Sequence, residues 1–284
     1  MKKPRIPQCL TAVIFLGLFL PGFFQTINVA AATEPQQIQP GTLDSVLKNG
    51  TLRVGVSLFT PWVLKNKKGV LVGFEIDVAN QLAKDLGVQL NLKEFDWDAM
   101  VPALLNKEID IIVAGMVITP QRALKVNFSQ PYANSGIGLA TNLALTKDFT
   151  GLGDINRQQV KVGVVTGTIA EEVAKRLFPK ATIQSFVKSE EAVQALVLGQ
   201  LHGYVEHDPM PTYLALEHPG KIDEPLSEPL LSTKAGFAVN KGDPDFINFL
   251  NAWIIARDAD SWLTSAHNYW FETLQWREED TRAE

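Results

Sequence analysis

Residues 97–132 read WDAMVPALLNKEIDIIVAGMVITPQRALKVNFSQPY and give the clearest indication of the fold. The run IDIIVAG at 109–115 is too short for a membrane span and rich in β-branched residues, which is typical of a buried parallel strand. Thr119 followed by Pro120 predicts a helix N-cap and the first helical residue. Arg122 then falls on the first helical turn, where its guanidinium is placed for an anion such as a carboxylate. The alternative is an ordinary exposed helix arginine.

Strand-like and helix-like segments alternate from Thr51 onward, which is the pattern of an open α/β unit. The predicted order is a strand at 51–59, a helix at 75–86, a strand at 88–95, a helix at 97–106 and the buried strand. The pattern begins again with KVGVVTGT at 161–168, and PALLNKEIDIIVAG (102–115) resembles QALVLGQLHGYVEH (194–207). These similarities predict two related α/β lobes, with a single larger sheet as the alternative.

The last 50 residues of the chain predict a return to the first lobe. AGFAVNK at 235–241 is strand-like, and the helix predicted at 244–257 has an apolar stripe that packs against a sheet. A chain that leaves one lobe near 140 and returns near 235 crosses twice between the lobes, which makes a hinge beside a cleft. We therefore predict lobe 1 at 43–140 and 235–273, lobe 2 at 141–234 and a charged tail at 274–284, with ligands bound in the cleft.

The first 32 residues have the features of a secretory signal peptide. Three basic residues precede an apolar run at 10–24, and small residues at 30–32 offer a cleavage point. Cys9, the only cysteine, stands at the start of the apolar run rather than at its cleavage end, so lipid attachment is not expected. We expect a soluble protein exported to the periplasm.

Charge and motifs exclude several classes of function. The first 32 residues carry three basic residues and no acidic one, so removing them takes the net charge from −5 to about −8, which argues against nucleic acid. Gly-x-Ser-x-Gly, P-loop and His-Glu-x-x-His motifs are absent from the sequence. His202 and His207, five residues apart on a predicted strand, point to opposite faces, so we expect no metal site and no cofactor.

Four segments together resemble the periplasmic solute-binding proteins of the polar-amino-acid family, the receptors of ABC importers. The segments are GFEIDVANQLAKDLG (73–87), the stretch 97–132, VGVVTGTIAEEVAKRL (162–177) and YVEHDPMPTYLA (204–215). The resemblance covers about residues 43–273 and implies a type II periplasmic binding protein-like fold, with two open α/β lobes joined by a two-strand hinge. It also implies a monomer that closes on a small carboxylate ligand, an amino acid or a derivative, and docks on an inner-membrane permease.

The resemblance transfers polar ligand-binding roles to individual residues. It implies that Arg122 binds the ligand carboxylate with its planar fork and that Thr168, ahead of a helix, adds donors to the same group. Gly115 would offer its carbonyl to the ligand ammonium, and Asp208 would pair with that ammonium. Apart from the resemblance, Thr168 and Asp208 are both explained as helix N-caps.

The resemblance also implies aromatic side chains on both sides of the ligand. Phe59 and Trp97 match the rings that sandwich the ligand, and Trp62 lies nearby in sequence. Core packing is the alternative for all three, and it is favoured for Trp62.

Two departures from the family bear on the ligand. Val117 stands where the family usually has a Ser or Thr that accepts from the ligand ammonium. One hydrogen bond to a charged group, worth about 1.5–3 kcal/mol, is therefore missing unless Glu206, His207 or water compensates. The first strand ends in apolar residues at 56–59, where several relatives place an acid. A basic side chain on the ligand is therefore disfavoured.

A distant similarity to cyclohexadienyl dehydratases, faint in Tyr269, Trp270 and the residues around them, provides an enzymatic alternative. Their acid falls at Pro211, which cannot transfer a proton. Glu206 and His207 are predicted on opposite faces of their strand and so do not form a pair. We expect a receptor and not an enzyme, with a dehydratase-like enzyme or a ligand sensor for a membrane signalling protein as alternatives.

Overall fold

The computed structural model describes residues 41–272 and Trp276. The predicted signal peptide and most of the charged tail lie outside these residues. The strands are β1 (Thr51–Val56), β2 (Leu64–Lys65), β3 (Leu71–Val72), β4 (Gln89–Glu94), β5 (Ile111–Ile112), β6 (Asn127–Phe128), β7 (Ala133–Asn142), β8 (Lys161–Val165), β9 (Thr182–Phe186), β10 (Gly203–His207), β11 (Ile222–Asp223), β12 (Leu231–Ala235) and β13 (Ala238–Val239).

The helices alternate with these strands, as the sequence predicts. They are α1 (Thr42–Asn49), α2 (Phe74–Leu86), α3 (Met100–Leu105), α4 (Pro120–Ala123), α5 (Leu143–Thr146), α6 (Leu152–Ile155), α7 (Ile169–Leu177), α8 (Ser189–Val197), α9 (Met210–Glu217), α10 (Pro244–Ala259) and α11 (Trp262–His267). A 3-10 turn at Trp97–Ala99 precedes α3, and a π-helical segment at Asn268–Glu272 follows α11. Among the described residues, no helix is both long enough and apolar enough to cross a lipid bilayer.

Lobe 1 is built on a sheet with the strand order β4-β1-β5-β13-β6. The buried strand predicted at 109–115 is confirmed as parallel, because β5 pairs with β1 through Val54 and Ile111. Backbone bonds from Asp110 to Arg53 and from Val113 to Gly55 extend this pairing beyond the two ladder residues. β13 joins the sheet antiparallel to β5, which brings the end of the chain back to lobe 1.

Lobe 2 is built on a second sheet, with the order β11-β7-β10-β8-β9 and β12 beside β7. The predicted end of lobe 1 at residue 140 differs from the observed pairing. The first half of β7 pairs with β12 and its second half with β10, so the whole strand belongs to lobe 2. The pattern at 136–142 identifies a strand, but nothing local specifies the sheet, since both partner strands lie more than 60 residues away in sequence.

Two antiparallel segments connect the lobes. The Tyr132 N–H donates to the Ala235 carbonyl at 3.0 Å, and the Ser129 N–H donates to the Phe237 carbonyl at 2.9 Å. Each segment enters or leaves lobe 2 directly at these contacts, through β7 and β12. The architecture is therefore two open α/β lobes joined by two strands, as predicted.

Each lobe has its own apolar core. The predicted stripe of α10 lies in the core of lobe 1, where Phe246 and Leu250 are fully buried in the same cluster as strand residues Val54 and Ile111. In lobe 2, side chains of β8 and β10 pack against α7 and α8. The strand ends of both sheets are thus held on rigid layers on either side of the cleft.

Candidate functional site

A cavity of about 110 Å³ lies between residues that follow β1, β4 and β5 of lobe 1 and residues at the ends of β8 and β10 of lobe 2. This is the position at which open α/β sheets bind ligands, outside the carboxyl ends of their strands. Since roughly 10–15 Å³ of such volume is enough to admit one water molecule, the cavity has room for a small molecule rather than a single water.

Some of the predicted site residues line this cavity and others lie around it. Phe59, Trp97, Gly115 and Thr168 are lining residues. Phe59 and Trp97 each pack against apolar clusters of both lobes, so their rings span the cleft. The remaining predicted residues are not among the lining residues, namely Arg122, Val117, Asp208 and Trp62.

The short helix α4 positions Arg122. Thr119 is its N-cap, and the Thr119 hydroxyl accepts from the Arg122 N–H at 3.2 Å. Pro120 occupies the first turn of α4. This local structure confirms what the Thr-Pro pair predicts, and it fixes the backbone from which the guanidinium extends.

The Arg122 guanidinium bridges the two lobes. Nη1 donates to the Val117 carbonyl of lobe 1 at 3.0 Å, and Nη2 donates to the Gly167 carbonyl of lobe 2 at 3.2 Å. Its central carbon lies 5.5 Å from the centre of the Trp97 ring. Burial lowers the pKa of Arg122 from its ordinary value, and the charge of Glu172 opposes this shift. The guanidinium is a half-buried cation at the junction of the lobes.

The beginning of α7 forms the facing side of lobe 2. Thr168 is the N-cap that the sequence predicts, because its hydroxyl accepts from the Glu171 N–H at 3.2 Å and donates to the Val165 carbonyl at 2.7 Å. The Gly167 N–H donates to the Glu171 carboxylate at 2.8 Å. The Gly167 carbonyl, left outside the helix, accepts from the Trp97 indole at 3.1 Å.

Gly115 lies on a buried network that sequence reasoning missed. Its φ of 60° is in the left-handed region, and an added Cβ would meet the Trp62 ring at 3.0 Å, so a glycine is required. The Gly115 N–H donates to Glu75 at 2.7 Å, and the Tyr132 hydroxyl lies 2.7 and 2.8 Å from the two oxygens of the same carboxyl group. Burial raises the pKa of Glu75 to about 8, although both hydrogen bonds oppose the shift.

Trp62 is a core residue, which is the alternative that the sequence favours for it. It is 2% exposed and packs edge-on against Phe74 and at a tilt against Phe271. Its indole N–H also donates to the Asp208 carbonyl of lobe 2 at 3.2 Å. Trp62 therefore packs against the turn at Gly115 with its ring and contacts lobe 2 with its indole N–H.

Asp208 follows β10, but its carboxylate does not line the cavity. The carboxylate lies over Gly136 and Gly138 of β7, where a Cβ atom at either glycine would collide with it. The N-cap of α9 is Pro209, with no side-chain cap, so the helix-cap explanation of Asp208 is wrong. Burial raises the pKa of Asp208, and the charge of Glu224 raises it further.

Val117 contributes its backbone rather than its side chain. The carbonyl accepts from Arg122, whereas the side chain is 5% exposed and packs in the apolar cluster of lobe 2 with Ile137 and Leu139. The backbone pairs with Ala235 in the connecting segment. The isopropyl group thus packs among apolar residues beside the hinge.

Glu206 and His207 form a pair, so the prediction that they do not is wrong. His207 Nδ1 lies 3.0 Å from Glu206 Oε1, and the His207 N–H donates to the same oxygen at 2.9 Å. The alternation of a strand applies to Cβ atoms, but the long glutamate side chain reaches both the backbone N–H and the ring of its neighbour His207. The Tyr204 hydroxyl donates to Glu206 Oε2 at 2.6 Å and lies 2.8 Å from the Ser189 hydroxyl. Both Glu206 and His207 line the cavity.

Metal ligands are not grouped in the described part of the chain. No set of three or more His, Cys, Asp or Glu residues in residues 41–272 and Trp276 is arranged to hold a metal ion. His202 lies away from His207, at the start of β8, where its Nδ1 accepts from the Lys161 N–H at 3.1 Å.

Comparisons with known proteins identify the family of the chain. The model of the bacterial extracellular solute-binding proteins, family 3, matches residues 52–273. The L-cystine-binding protein TcyJ of Escherichia coli K12 is 28% identical over 256 residues, which cover 89% of this chain and 94% of TcyJ.

Solved structures give the same result. The ancestral amino acid-binding protein AncCDT-1, a precursor of cyclohexadienyl dehydratase, has a TM-score of 0.75 and 35% identity, covering 82% of this chain and 100% of its own. An ABC transporter binding component from Wolinella succinogenes, complexed with lysine, has a TM-score of 0.76 and 33% identity, covering 81% and 99%. The resemblance predicted from the four sequence segments is confirmed. The chain belongs to the bacterial extracellular solute-binding proteins of family 3.

Proposed function

We propose that this chain is the substrate-binding receptor of an ABC importer and that it closes its two lobes on an α-amino acid. Arg122 is the residue that binds the ligand carboxylate. Thr168 and the start of α7 complete that end of the site, and the rings of Phe59 and Trp97 enclose the body of the ligand.

The observation that carries this proposal is the position of the Arg122 guanidinium. It extends from lobe 1 and reaches the Gly167 carbonyl of lobe 2, immediately before α7. A ligand carboxylate between the lobes is a stronger acceptor for Nη2 than this neutral carbonyl, because it carries the opposite charge and can accept two parallel N–H bonds from the guanidinium. α7 has nine residues, so the dipole at its N-terminus favours a negative charge at the same place.

Contacts between the lobes support closure. The Trp62 indole donates to the Asp208 carbonyl, and the Trp97 indole donates to the Gly167 carbonyl. Both bonds join lobe 1 to lobe 2 beside the cavity, and both break if the lobes separate about the two connecting segments. A ligand that contacts both lobes would shift the equilibrium toward the closed form.

The class of the side chain on the ligand is open to basic as well as neutral amino acids. The end of β1 is apolar except for Ser57, but three exposed carboxylates, those of Glu94, Asp96 and Glu190, also line the cavity, against one lysine, Lys188. The TcyJ relative binds cystine, and the Wolinella structure contains lysine. The expectation that a basic ligand is disfavoured therefore rests on the end of β1 alone.

A thermal-shift screen tests the proposal. The purified protein is melted with L-cystine, L-lysine, L-arginine, L-histidine, L-glutamine and L-glutamate, each in excess. A ligand at a hundred times its dissociation constant adds about 2.7 kcal/mol to the free energy of unfolding. We expect at least one amino acid to raise Tm, and Arg122→Ala to abolish the rise.

Arg176→Ala, which removes an exposed arginine from α7, is the matched control and should keep the rise in Tm. If no amino acid raises Tm, or if Arg122→Ala keeps the full rise, the proposal is wrong.

One observation favours an enzyme as a second candidate. The Glu206–His207 pair in the cavity has the composition of a general base, and AncCDT-1 is a precursor of an enzyme. Pro211, at the position expected for the acid, is buried in the first turn of α9 and carries no proton donor. We therefore expect prephenate to decay at its spontaneous rate in the presence of the protein. Faster decay that is lost in His207→Phe would establish the enzyme instead.

We propose further that the partner is a permease of the inner membrane, that residues 1–32 direct export, and that the receptor acts as a monomer. N-terminal sequencing of the periplasmic protein and sedimentation would test the last two. Co-purification with a membrane kinase or chemoreceptor instead of a permease would favour the sensor alternative.

A further inference from the structure

A pair of aromatic residues joins the two lobes away from the ligand cavity. Tyr213 belongs to α9 of lobe 2, yet it packs against the apolar clusters of both lobes. Its ring is stacked on that of Trp276, with the centroids 5.9 Å apart and the ring planes at 22° to each other. Neither residue is among those that line the cavity. This contact between the lobes therefore lies outside the ligand site.

Trp276 is anchored on lobe 1. Its indole N–H donates to the Trp270 carbonyl at 2.9 Å, and the two indole rings pack with centroids 5.6 Å apart. The Trp270 indole N–H in turn donates to the Asp77 carboxylate of α2 at 2.7 Å. Only 7% of Trp276 and 6% of Trp270 is exposed. Both tryptophans are thus buried parts of lobe 1, and the ring of Trp276 contacts lobe 2.

The same element of lobe 2 contacts lobe 1 at a second point. Phe271 packs against Trp62 with centroids 4.8 Å apart, and the Trp62 indole donates to the carbonyl of Asp208, two residues before the start of α9. Tyr213 lies in the first turn of α9, with its N–H bonded to the Pro209 carbonyl. The beginning of α9 is therefore held against lobe 1 by a hydrogen bond and by an aromatic contact.

Opening of the lobes would break the aromatic contact. α9 follows β10, so it moves with lobe 2 when the lobes rotate about the two connecting segments, whereas Trp276 stays with lobe 1. Separation would expose rings that are now covered, and exposure of apolar surface to water is unfavourable. A stacked aromatic pair contributes about two- to tenfold to an equilibrium constant beyond the effect of the area that it buries.

We propose that Tyr213 and Trp276 form a latch, a contact that stabilises the closed form and that no ligand has to supply. The latch keeps a measurable fraction of the protein closed without ligand. Because it lies outside the cavity, it favours closure by the same factor whichever molecule binds. For the receptor proposed above, the latch raises affinity without changing specificity. That consequence rests on the proposed function, whereas the latch itself does not.

The distance between the lobes in the ligand-free protein tests the latch. Arg122 of lobe 1 reaches Gly167, immediately before α7, so α4 and α7 face each other across the cleft. Spin labels are attached at two exposed positions, Leu124→Cys beside α4 and Arg176→Cys on α7. Cys9, the only natural cysteine, lies in the predicted signal peptide, so the exported protein is labelled only at these positions. Double electron–electron resonance then gives the populations at shorter and longer distances.

We expect both populations in the labelled parent, and a ratio of shorter to longer distances that falls about two- to tenfold in Trp276→Ala. Tyr213→Leu removes the partner ring but keeps an apolar side chain in lobe 2, and it should lower the ratio equally. The double variant should lower it no further than either single change, since all three remove the same contact. Circular dichroism checks that each variant is folded, and Tyr213→Leu decides the question if Trp276→Ala does not fold.

Trp262→Ala is the matched control. It removes a tryptophan that packs against Trp253 within lobe 1, with centroids 6.2 Å apart, and it should leave the ratio unchanged. The inference is overturned if the shorter distance is absent from the parent, if Tyr213→Leu keeps the ratio of the parent, or if Trp262→Ala lowers it as much. A further loss in the double variant also overturns it, because the two rings would then act separately. No ligand enters the measurement, so its result is independent of the proposed function.

Discussion

The two lobes each bury a glutamate that contacts a tyrosine hydroxyl, but the two networks end differently. In lobe 1, the Tyr132 hydroxyl lies 2.7 Å from Glu75, and the remaining contact of the carboxyl group is the Gly115 N–H. In lobe 2, the Tyr204 hydroxyl lies 2.6 Å from Glu206, and the network continues through the imidazole of His207 to a nitrogen without a partner.

The lobe 1 network is complete within the core, whereas the lobe 2 network includes residues that line the cavity and one nitrogen without a hydrogen-bond partner in the described part of the chain. Burial raises the pKa of Glu75 to about 8, so this carboxyl group is largely protonated at neutral pH and needs no counter-ion. It fixes the left-handed turn at Gly115 and, through Tyr132, ties that turn to the hinge. The lobe 2 network includes two residues that line the cavity, Glu206 and His207, and His207 Nε2 has no hydrogen-bond partner among the described residues.

The largest expected effect is the pH dependence of folding due to Glu75. The folded pKa of about 8 is raised above the ordinary 4.5, so the folded state holds a proton that the unfolded state has lost between these values. The free energy of unfolding should therefore fall as pH rises, by about 1.4 kcal/mol per pH unit between about pH 5 and 8, and level off above. Urea titrations at pH 5 to 8 should show this slope as the difference between wild type and Glu75→Gln. Equal slopes would contradict it.

Truncation of the same residue should be the next largest effect. Glu75→Ala leaves the Gly115 N–H and the Tyr132 hydroxyl without their acceptor, and we expect the free energy of unfolding at pH 7 to fall by about 2–4 kcal/mol. Glu228→Ala, at an exposed position, is the control and should change it by less than about 0.5 kcal/mol. A small loss in Glu75→Ala would mean that the lobe 1 network does not hold the turn.

The two tyrosines sharpen the comparison. Tyr132→Phe and Tyr204→Phe each remove one buried hydroxyl, and each should lower the free energy of unfolding by about 1–2 kcal/mol. Only Tyr204→Phe should also weaken binding of an amino acid, because only this tyrosine holds a carboxylate that lines the cavity. The same loss of affinity from both variants would remove the distinction between the networks.

The smallest effect on stability is expected for Glu206→Gln. The amide oxygen still accepts from Tyr204 or His207, so the free energy of unfolding should change by less than about 1 kcal/mol. Chemical denaturation without ligand measures it. A loss as large as that of Glu75→Ala would show that the lobe 2 network also serves the fold.

Much of the fold follows from local sequence signals. The β-branched run before Gly115 is typical of a buried parallel strand, and the Thr119-Pro120 pair specifies the start of α4 without any distant contact. The lobe boundary near 140 was less accessible, because the sheet to which β7 belongs is decided by pairing with β10 and β12. The residues of β7 alone do not show which strands pair with it.

The site residues also divide into those that local sequence predicts and those that meet only in the folded protein. The backbone that carries Arg122 and the cap at Thr168 depend on neighbouring residues and were predictable. Glu75 and Tyr132 are 57 residues apart and meet only in the folded core, where Glu75 is otherwise explained as a first-turn helix acid. The Glu206–His207 pair was hidden by the alternation rule, which describes where side chains start and not how far a glutamate reaches.

A crystal structure of the protein with the amino acid that binds most tightly tests the central claim most directly. We predict that the ligand carboxylate lies within about 3.2 Å of the Arg122 guanidinium, between lobe 1 and the start of α7. A ligand carboxylate bound away from Arg122 would contradict the account.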